Sequence, residues 1–526
     1  MTRDMKSDSP APSSGNTGGV RRKIRSIPEL ATIAEESRKA GRTVVLCHGV
    51  FDLLHMGHVR HLEIARREGD VLIITVTADR FVHKGPGRPI FPEHLRAEML
   101  ASLEYVDFVG VNSEPSAEAL LASLRPDVYV KGSDYENPED DVTGGIGREK
   151  AAVENHGGRL LITKDITFSS SSLINRYLDI YDPPLRDYLD DFRNRTALDD
   201  LLALIESVKA YRVLLVGDAI VDEYRYVDPL GKSAKENIIA TRFKGSELFA
   251  GGVFAAANHV AGFCRDVEIV TVLGTAESHE ETIRGNLKPN VRLSPLYRES
   301  APTTVKSRFV DVSYLRKLFE VYAIDDTPLD PTLEAKLIAI IRDRAPAFDL
   351  VIVTDFGHGM ITRPVIAALN DHARFLAVNA QSNAGNQGFN LVTKYPRADY
   401  VCIDGNEARL AVTDKYADLA VIAAEALPRS ICCPRLIITG GHHGCITFDQ
   451  NAGVARIPAF TKTIVDTVGA GDALLAVTAP LVAAGGGMEQ IGFIGNAAGA
   501  LKVGIVGHRS SVEKIPLIKF INTLMK

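Results

Sequence analysis

The amino-acid sequence predicts an α/β protein with two doubly wound parallel-sheet domains, the second carrying a small β lid. Short apolar runs alternate with helix-type patterns along most of the chain, which is typical of buried parallel strands joined by crossover helices. A polar stretch containing two consecutive prolines divides these runs into two series. Within the second series, residues 305–312 alternate between apolar and polar types, which favours an antiparallel strand of a lid.

The composition is typical of a globular protein with a large core. The chain has 526 residues, of which 45% are hydrophobic and 24% charged, so that a large core can form. A formal charge of −6 gives no support to a nucleic-acid partner. Residues 473–488 are uncharged but short and interrupted by Pro480, which favours a buried helix over a membrane span. With 6 cysteines and no export-type segment, we expect reduced thiols and a cytoplasmic location.

The domain boundaries follow from changes in composition. Residues 1–25 begin with small and polar residues that cannot bury enough surface, and we predict a disordered tail. The first domain is expected over residues 26–181. Residues 182–195 are rich in Asp, Arg and Tyr and contain the two prolines, which predicts a linker. The second domain is expected over residues 196–526.

The first series opens with a helical pattern at residues 30–40, followed by an apolar run short enough for a buried strand. Its predicted strands cover residues 43–47, 71–77, 108–111, 127–130 and 158–162, and its further helices residues 58–68, 92–103 and 116–124. The second series has the same strand-type runs at residues 212–216, 268–272, 350–353, 375–378, 400–403 and 436–439. Each series therefore contains the alternation that a parallel sheet requires.

The sharpest motif is the run His48-Gly49-Val50-Phe51-Asp52-Leu53-Leu54-His55-Met56-Gly57-His58, at a strand-to-helix turn. A glycine lets the backbone approach a phosphate, and a helix N-terminus supplies N–H donors and positive dipole. Two imidazoles on either side of that turn can donate to a phosphoryl group while charge builds on it. This pattern favours an in-line displacement at phosphorus over a simple helix cap.

These residues resemble the signature of the cytidylyltransferase-like nucleotidyltransferases, and further matches follow in order along residues 84–174. The resemblance implies a Rossmann-like domain that transfers a nucleotidyl group from an NTP to a sugar or alkyl phosphate and releases pyrophosphate with Mg²⁺. Carried over residue by residue, it implies catalytic roles for His55, His58 and Lys84. The implied nucleotide-binding residues are Gly49, Phe51, Asp52, Gly57, Arg88, Lys131, Gly132, Ser169, Ser170 and Ser171. Arg96 belongs to the same set of matches, whereas His48 departs from the usual Thr or Asn.

The second motif is Asp466-Thr467-Val468-Gly469-Ala470-Gly471-Asp472, directly before a long apolar helix. Successive N–H groups of Gly469, Ala470 and Gly471 would form an anion hole for a transferring phosphoryl group. Asp472 in the same turn can take the proton from an attacking hydroxyl, or it can simply cap the helix.

This run resembles signature two of the ribokinase/PfkB sugar kinases, with supporting positions in the expected order. The resemblance implies a ribokinase-like fold and ATP-dependent phosphorylation of a sugar with Asp472 as the catalytic base. It places Gly469, Ala470, Gly471, Thr439 and Gly441 at the nucleotide, Asp222, Gly251, Gly252 and Asn258 at the sugar, and Asp404 and Glu407 at the metal. Departures lie on the substrate and metal sides: Val253 follows the two glycines, Asp404 replaces an Asn and Asn379 replaces an Asp.

The two halves together resemble the bifunctional heptose kinase/adenylyltransferases, with the domain order reversed. The resemblance implies an enzyme of ADP-heptose-like synthesis that uses ATP and Mg²⁺, with CTP as the alternative at the transferase site. We also expect a homodimer. Two other interpretations stay open: an active nucleotidyltransferase with a kinase-like domain that only binds sugar or regulates, and a non-catalytic assembly protein. The sugar itself is not defined by these motifs.

Overall fold

A computed structural model of the chain describes residues 17–132, 145–163, 170–178 and 180–526. It separates into two compact units, the first ending at Ile180 and the second covering Tyr181–Met525. Both units are α/β, as the sequence predicts.

The first unit is a parallel sheet flanked by helices. Its strands are β1 (Val44–Gly49), β2 (Val71–Thr77), β3 (Phe108–Asn112), β4 (Val128–Lys131) and β5 (Arg159–Ile162). Its helices are α1 (Thr17–Lys23), α2 (Ile27–Lys39), α3 (Met56–Arg67), α4 (Glu93–Ala101), α5 (Glu118–Leu124), α6 (Gly145–Glu154) and α7 (Ser170–Tyr177). The described strands pair in the order β3-β2-β1-β4-β5, all in parallel. The order reverses between β1 and β4, and this switch point is where open α/β sheets bind ligands.

The ordered part of the first unit begins earlier than predicted. Residues 17–23 form helix α1, and Val20 and Ile24 pack against the core of the unit. Lys23 donates to the Leu103 carbonyl at 3.1 Å, and the Arg25 N–H donates to the Val109 carbonyl at 2.9 Å. The prediction of disorder over all of residues 1–25 is therefore wrong for residues 17–25, because a few apolar side chains in this polar segment find a partner in the core.

The second unit is larger and has two sheets. Its strands are β6 (Arg212–Gly217), β7 (Ala219–Lys232), β8 (Ile239–Gly252), β9 (Asp266–Gly274), β10 (Val291–Arg298), β11 (Thr304–Asp311), β12 (Arg316–Ala323), β13 (Leu350–Asp355), β14 (Leu376–Ala380), β15 (Tyr400–Asp404), β16 (Arg435–Thr439), β17 (Cys445–Asp449) and β18 (Gly453–Ile457). Its helices are α8 (Pro183–Arg195), α9 (Leu198–Ser207), α10 (Val253–Val260), α11 (Glu280–Asn286), α12 (Pro331–Arg344), α13 (Arg363–His372), α14 (Gly405–Val412), α15 (Leu419–Val421), α16 (Leu427–Ser430), α17 (Ala470–Ala483), α18 (Met488–Lys502) and α19 (Lys514–Leu524).

The main sheet of the second unit has the order β10-β9-β6-β13-β14-β15-β16-β17-β18. It is parallel from β10 to β16, and β17 and β18 add an antiparallel edge. Its switch point lies between β6 and β13, so the ends of these two strands open onto the site. The lid sheet has the order β12-β11-β7-β8; β11 is antiparallel to β12 but parallel to β7.

The segment predicted as a linker, residues 182–195, is helix α8 of the second unit. Leu185, Leu189 and Phe192 lie on its apolar face and are buried in the core of that unit. The Phe192 ring stacks on Phe493 with centroids 4.4 Å apart. The prolines that suggested a linker occupy the first turn of the helix, where the missing N–H costs nothing.

Replacing Phe192 by alanine tests this correction. The side chain is fully buried, so we expect the substitution to lower the free energy of unfolding of the second unit by about 3–5 kcal/mol. Chemical denaturation of the full chain measures the change, and Asn194→Ala on the exposed face of α8 is the control. A Phe192→Ala variant as stable as the control would contradict the packing of α8.

Among the described residues, no helix combines the length and apolar character needed to cross a bilayer. Of the cysteines, Cys432 is exposed and the other five are buried as free thiols.

Candidate active site

The first site lies at the turn between β1 and α3. His55 is the N-cap of α3, and its Nδ1 accepts the Gly57 N–H at 3.1 Å. Because Nδ1 is an acceptor, the neutral ring carries its proton on Nε2. This Nε2 is buried and has no hydrogen-bond partner among the described residues, and the same holds for Nδ1 of His58. The two rings lie 4.0 Å apart between centroids.

Burial keeps these imidazoles neutral. Desolvation lowers the pKa of His55, and it lowers the pKa of His58 to about 3, with further repulsion from His55, His61 and Lys84. A neutral imidazole still donates one N–H. The negative charge of a bound phosphate would favour the protonated form of the ring. The turn is therefore preorganised to receive an anion.

The backbone before the histidines is shaped for a close approach. Phe51 has a φ of 51°, which is rare for a residue with a large side chain and clusters at functional sites. Its ring lies 5.2 Å from that of His58. At Gly49, an added Cβ would lie 3.2 Å from the Phe51 ring, so a larger residue would press on this turn.

Three charged residues of the matched motifs, of which Asp52 and Arg88 were predicted to bind the nucleotide, make their contacts within the first unit. Asp52 is fully buried and accepts from the Ile90 N–H at 2.6 Å and from Arg88 at 3.2 Å. Arg88 also donates to Asn175 at 3.0 Å. Arg96 is fully buried and donates to the carbonyls of Val50, Thr77 and Phe91 and to the carboxylate of Asp79. Each of these side chains therefore has its partners within the first unit, and direct nucleotide contact stays a prediction for Asp52 and Arg88.

The remaining predicted residues of this site lie around the same sheet edge. Lys84 follows β2, and its charge acts on His58. Lys131 ends β4 and forms a buried ion pair with Glu149 at 2.9 Å, with Gly132 directly after it. Ser170 donates to the Leu53 carbonyl at 3.2 Å, and Ser171 is buried beside it in α7. Ser169 lies outside the described residues.

The second site is organised around Asp472. The residue is the third of α17 and is buried; its Oδ1 accepts from the Gln381 side chain at 3.0 Å, and the N-cap of the helix is Gly469. Asp472 is therefore not the helix cap. Burial raises the pKa of Asp472, partly offset by the charge of His508, which makes the carboxylate a stronger base.

The backbone turn at the start of α17 can form an anion hole, but with fewer free N–H donors than the three that were predicted. Gly469 has a φ of 76°, a conformation that favours glycine. The Ala470 N–H donates to the Thr467 carbonyl at 3.2 Å, so it is already used. Gly471 is the next residue whose N–H stands at a position that a helix leaves without an internal acceptor.

Asp222, predicted as the sugar ligand, lies on the inner face of the lid. It is buried, forms an ion pair with Arg308, and its Oδ2 lies 3.2 Å from His508 Nε2. Although burial opposes it, the hydrogen bond from His508 and the charge of Arg308 hold the pKa of Asp222 well below its usual range. Gly251 is required here because an added Cβ would collide with Oδ2, and Gly252 has a φ of 53° at the start of α10.

Sequence reasoning missed four residues of this site: Arg308, Lys306, Gln381 and His508. The alternation of β11 gave a signal for the first two, because charged residues at positions of a lid strand that share one face point to a ligand. Lys306 is buried, with its Nζ 5.5 Å from the centroid of the Phe356 ring. His508 belongs to no motif, and only the fold brings it to Asp222.

Asn258 does not lie where the resemblance placed it. Its Nδ2 donates to the Asn286 carbonyl at 2.8 Å, and its Oδ1 accepts the Lys288 N–H at 3.0 Å. Both ends of the amide therefore hold the connection from α11 to β10. The sugar contact of Asn258 stays a prediction, and it would require these two hydrogen bonds to be exchanged.

The predicted metal ligands form a capping box at the start of α14. Asp404 accepts the Glu407 N–H at 2.8 Å, and Glu407 in turn accepts the Asp404 N–H at 2.8 Å. Burial and the adjacent Asp404 raise the pKa of Glu407 to about 8. Thr439 pairs with Asp404 across the sheet, and Gly441 begins the turn that follows. No three His, Cys, Asp or Glu residues of the described chain form a ready cluster for a metal.

The surroundings of Glu407 nevertheless suit a hydrated Mg²⁺. Its Oε1 accepts the Ser382 N–H at 3.0 Å, and Asn379 donates to the Cys402 carbonyl close by. Ser382 Oγ and Asn379 Oδ1 are buried oxygens with no hydrogen-bond partner in the described part of the chain. Oxygen ligands that leave room for water are what Mg²⁺ prefers, so the chemistry of this donor set fits the ion.

These two sites define two classes of transferase on one chain. Residues 46–176 match the cytidylyltransferase-like family, and residues 212–515 match the pfkB family of carbohydrate kinases. Since the second match covers more than half of the sequence, the chain belongs to the pfkB carbohydrate kinase family and carries a cytidylyltransferase-like domain before it.

Curated relatives match the N-terminal part. The chain is 43% identical over 163 residues to "Bifunctional protein HldE" of Syntrophotalea carbinolica, covering 30% of this chain and 32% of that protein. The protein of the same name from Alcanivorax borkumensis is 38% identical over 162 residues, covering 30% and 33%. The chain thus spans about a third of the length of the curated relatives it matches.

Among solved structures, phosphofructokinase-2 from Escherichia coli covers 60% of this chain and 100% of its own, with 14% identity and a TM-score of 0.49. Ribokinase from Thermotoga maritima covers 59% and 99%, with 18% identity and a TM-score of 0.48.

Proposed function

We propose that the chain is a bifunctional enzyme of nucleotide-activated sugar synthesis of the ADP-heptose type. Its second unit phosphorylates a sugar with ATP. Its first unit transfers a nucleotidyl group from an NTP to a sugar 1-phosphate and releases pyrophosphate.

One observation carries the proposal: both phosphate turns occur on the same chain with their reactive groups buried and available. His55 presents an unpartnered donor at the N-terminus of α3, and Asp472 presents a buried carboxylate at the N-terminus of α17. Each turn contains a motif that the sequence alone placed at the N-terminus of a helix. A protein that only assembled with others would have no need of two such sites.

In the first unit, an oxygen of the sugar phosphate attacks the α-phosphorus of the nucleotide. A new P–O bond forms while the bond to pyrophosphate breaks. His55 and His58 donate hydrogen bonds to the phosphoryl oxygens as negative charge builds on them. Lys84 adds positive charge from the loop after β2.

In the second unit, a sugar hydroxyl attacks the γ-phosphorus of ATP and ADP leaves. Asp472 accepts the hydroxyl proton, and the N–H groups at the start of α17 receive the transferring group. Asp222 orients the sugar from the lid. Mg²⁺ held near Glu407 and Asp404 would neutralise the nucleotide phosphates.

We propose ATP as the nucleotide of both units, with CTP as the alternative in the first. We propose a heptose-type sugar and name no individual sugar. The curated relatives match only the N-terminal part of the chain, so they do not define what the second unit binds.

A second candidate is an active nucleotidyltransferase whose kinase-like unit only binds sugar or regulates. The engagement of Asn258 in a loop and the ion pair between Asp222 and Arg308 favour it, because both remove expected sugar contacts. The intact arrangement around Asp472 favours an active kinase.

A mass-spectrometric screen separates these candidates. The full chain is incubated with Mg²⁺, ATP or CTP, and a panel of sugars and sugar phosphates. We expect a nucleotide-sugar with pyrophosphate from a sugar 1-phosphate, and ADP with a sugar phosphate from a free or already phosphorylated sugar. Nucleotide-sugar formation without any sugar phosphorylation would support the second candidate, and neither product would overturn both.

We also propose a homodimer formed through the outer face of the lid. The pairing of β8, β7, β11 and β12 places Leu248, Phe309, Phe319 and Val321 on the face opposite Asp222. Phe319 and Val321 are 46% and 52% exposed, and such an apolar patch is typical of an interaction surface. Analytical ultracentrifugation of the wild type and of a Phe319→Ser/Val321→Ser variant tests it; a monomeric wild type would contradict it.

A further inference from the structure

The imidazole of His508 bridges two parts of the kinase site. Its Nε2 lies 3.2 Å from Oδ2 of Asp222, and its side chain is 6% exposed. The Cε1–Nδ1 edge of the ring faces the N-cap of α17: Nδ1 would be 3.1 Å from a Cβ added to Gly469, and Cε1 would be closer still. Gly469 must therefore be glycine both for its backbone conformation and to leave room for this ring.

The loop that carries His508 is fastened to the phosphate turn. Lys502 is fully buried and donates to the carbonyls of Val468 at 2.8 Å and Gly507 at 2.7 Å. Asp466 accepts the N–H groups of Gly507 at 2.8 Å and Val468 at 3.1 Å. These four bonds join the loop at Gly507 to the turn at Val468. Because Tyr224 and Lys317 of the lid also donate to Asp466, both parts of the unit hold the ring at the N-terminus of α17.

One nitrogen of the His508 ring makes no hydrogen bond to the described residues. Nε2 faces the Asp222 carboxylate and so acts as a donor, whereas Nδ1 is buried and has no hydrogen-bond partner within the described ranges. When the ring is doubly protonated, both nitrogens are donors, and the carboxylates of Asp222 and Asp472 both lie near it. The unused N–H then lies at the helix N-terminus where an anion is stabilised.

We propose that His508 is a catalytic residue of the kinase site, donating its Nδ1–H to the phosphoryl group as it passes from ATP to the sugar. The inference rests on the proposed kinase activity. In this step the sugar oxygen forms a bond to the γ-phosphorus, the bond to the ADP oxygen breaks, and the hydroxyl proton goes to Asp472. His508 keeps both of its protons and supplies charge and a hydrogen bond to the transition state.

Two variants and a control test the role of His508. His508→Gln keeps a donor that can reach Asp222 but is neutral, and His508→Ala removes both contacts. His372→Ala, at the C-terminal end of α13, is the matched control. We expect kcat for sugar phosphorylation to fall about 10²-fold in both His508 variants. KM for the sugar should change less than about threefold in His508→Gln, since its contact with Asp222 survives. Nucleotidyl transfer should be unchanged, and the control should match the wild type.

A second readout separates catalysis from structure. Binding of ADP with aluminium fluoride, which mimics the transferring phosphoryl group, should weaken in His508→Gln while binding of ADP alone does not. A variant that loses sugar affinity or thermal stability but keeps kcat would overturn the proposal in favour of a purely structural role. If the wild type phosphorylates sugar and His508→Gln equals it, this inference alone fails; if the wild type phosphorylates none, the kinase proposal fails and this inference with it.

Discussion

Replacing His58 by alanine is expected to lower the rate of nucleotidyl transfer about 10²–10³-fold, because one donor to the transition state is lost. His55→Ala should have an effect of the same size, since its Nε2 is the unpartnered donor at the same turn. Release of pyrophosphate from NTP and a sugar phosphate measures both. Sugar phosphorylation by the second unit should be unaffected.

The control for both histidines is His94→Ala, an exposed histidine on α4 of the same unit. Loss of His55 also removes the acceptor of the Gly57 N–H, so its thermal midpoint should be compared with that of His58→Ala. Full pyrophosphate release by either variant would show that the first site is wrongly assigned.

For Asp472→Asn we expect the chain to fold normally, to keep nucleotidyl transfer, and to lose sugar phosphorylation about 10²–10⁴-fold. Asparagine keeps the shape and can still contact Gln381, but it cannot accept the hydroxyl proton. The measurement is ADP formation with a sugar that the wild type phosphorylates. The buried environment, which raises the pKa of Asp472, makes the loss of this base costly.

A true helix cap provides the matched control. Asp330 caps α12 by accepting the N–H groups of Thr332 at 2.9 Å and Leu333 at 3.1 Å. Asp330→Asn should leave both activities intact, because Asn caps helices about as well as Asp. If Asp472→Asn behaved like Asp330→Asn, Asp472 would not be the catalytic base, and another group would have to accept the hydroxyl proton.

The sequence by itself determined the two α/β units and the positions of both phosphate turns. These depend on local properties: apolar runs of strand length, helix-type spacing, and glycines next to His or Asp at a strand or helix end. Such features act within a few residues, so they can be seen without knowing the fold. The same locality leaves two uses open for Asp404 and Glu407, because one D-x-x-E pattern serves a capping box as readily as a metal site.

Only the tertiary structure decided which side chains complete the sites. Arg308 meets Asp222 from a lid strand 86 residues away, and His508 reaches it from the loop after α18. Helix α8 became part of the core because Phe192 finds Phe493 some three hundred residues later, a contact that no local pattern indicates. Asp52 and Arg88 had the right residue types for a nucleotide site, yet packing turned them toward each other. Burial and long-range charge set these outcomes, because the free energy of a buried ionic group depends on whichever partners the fold brings to it.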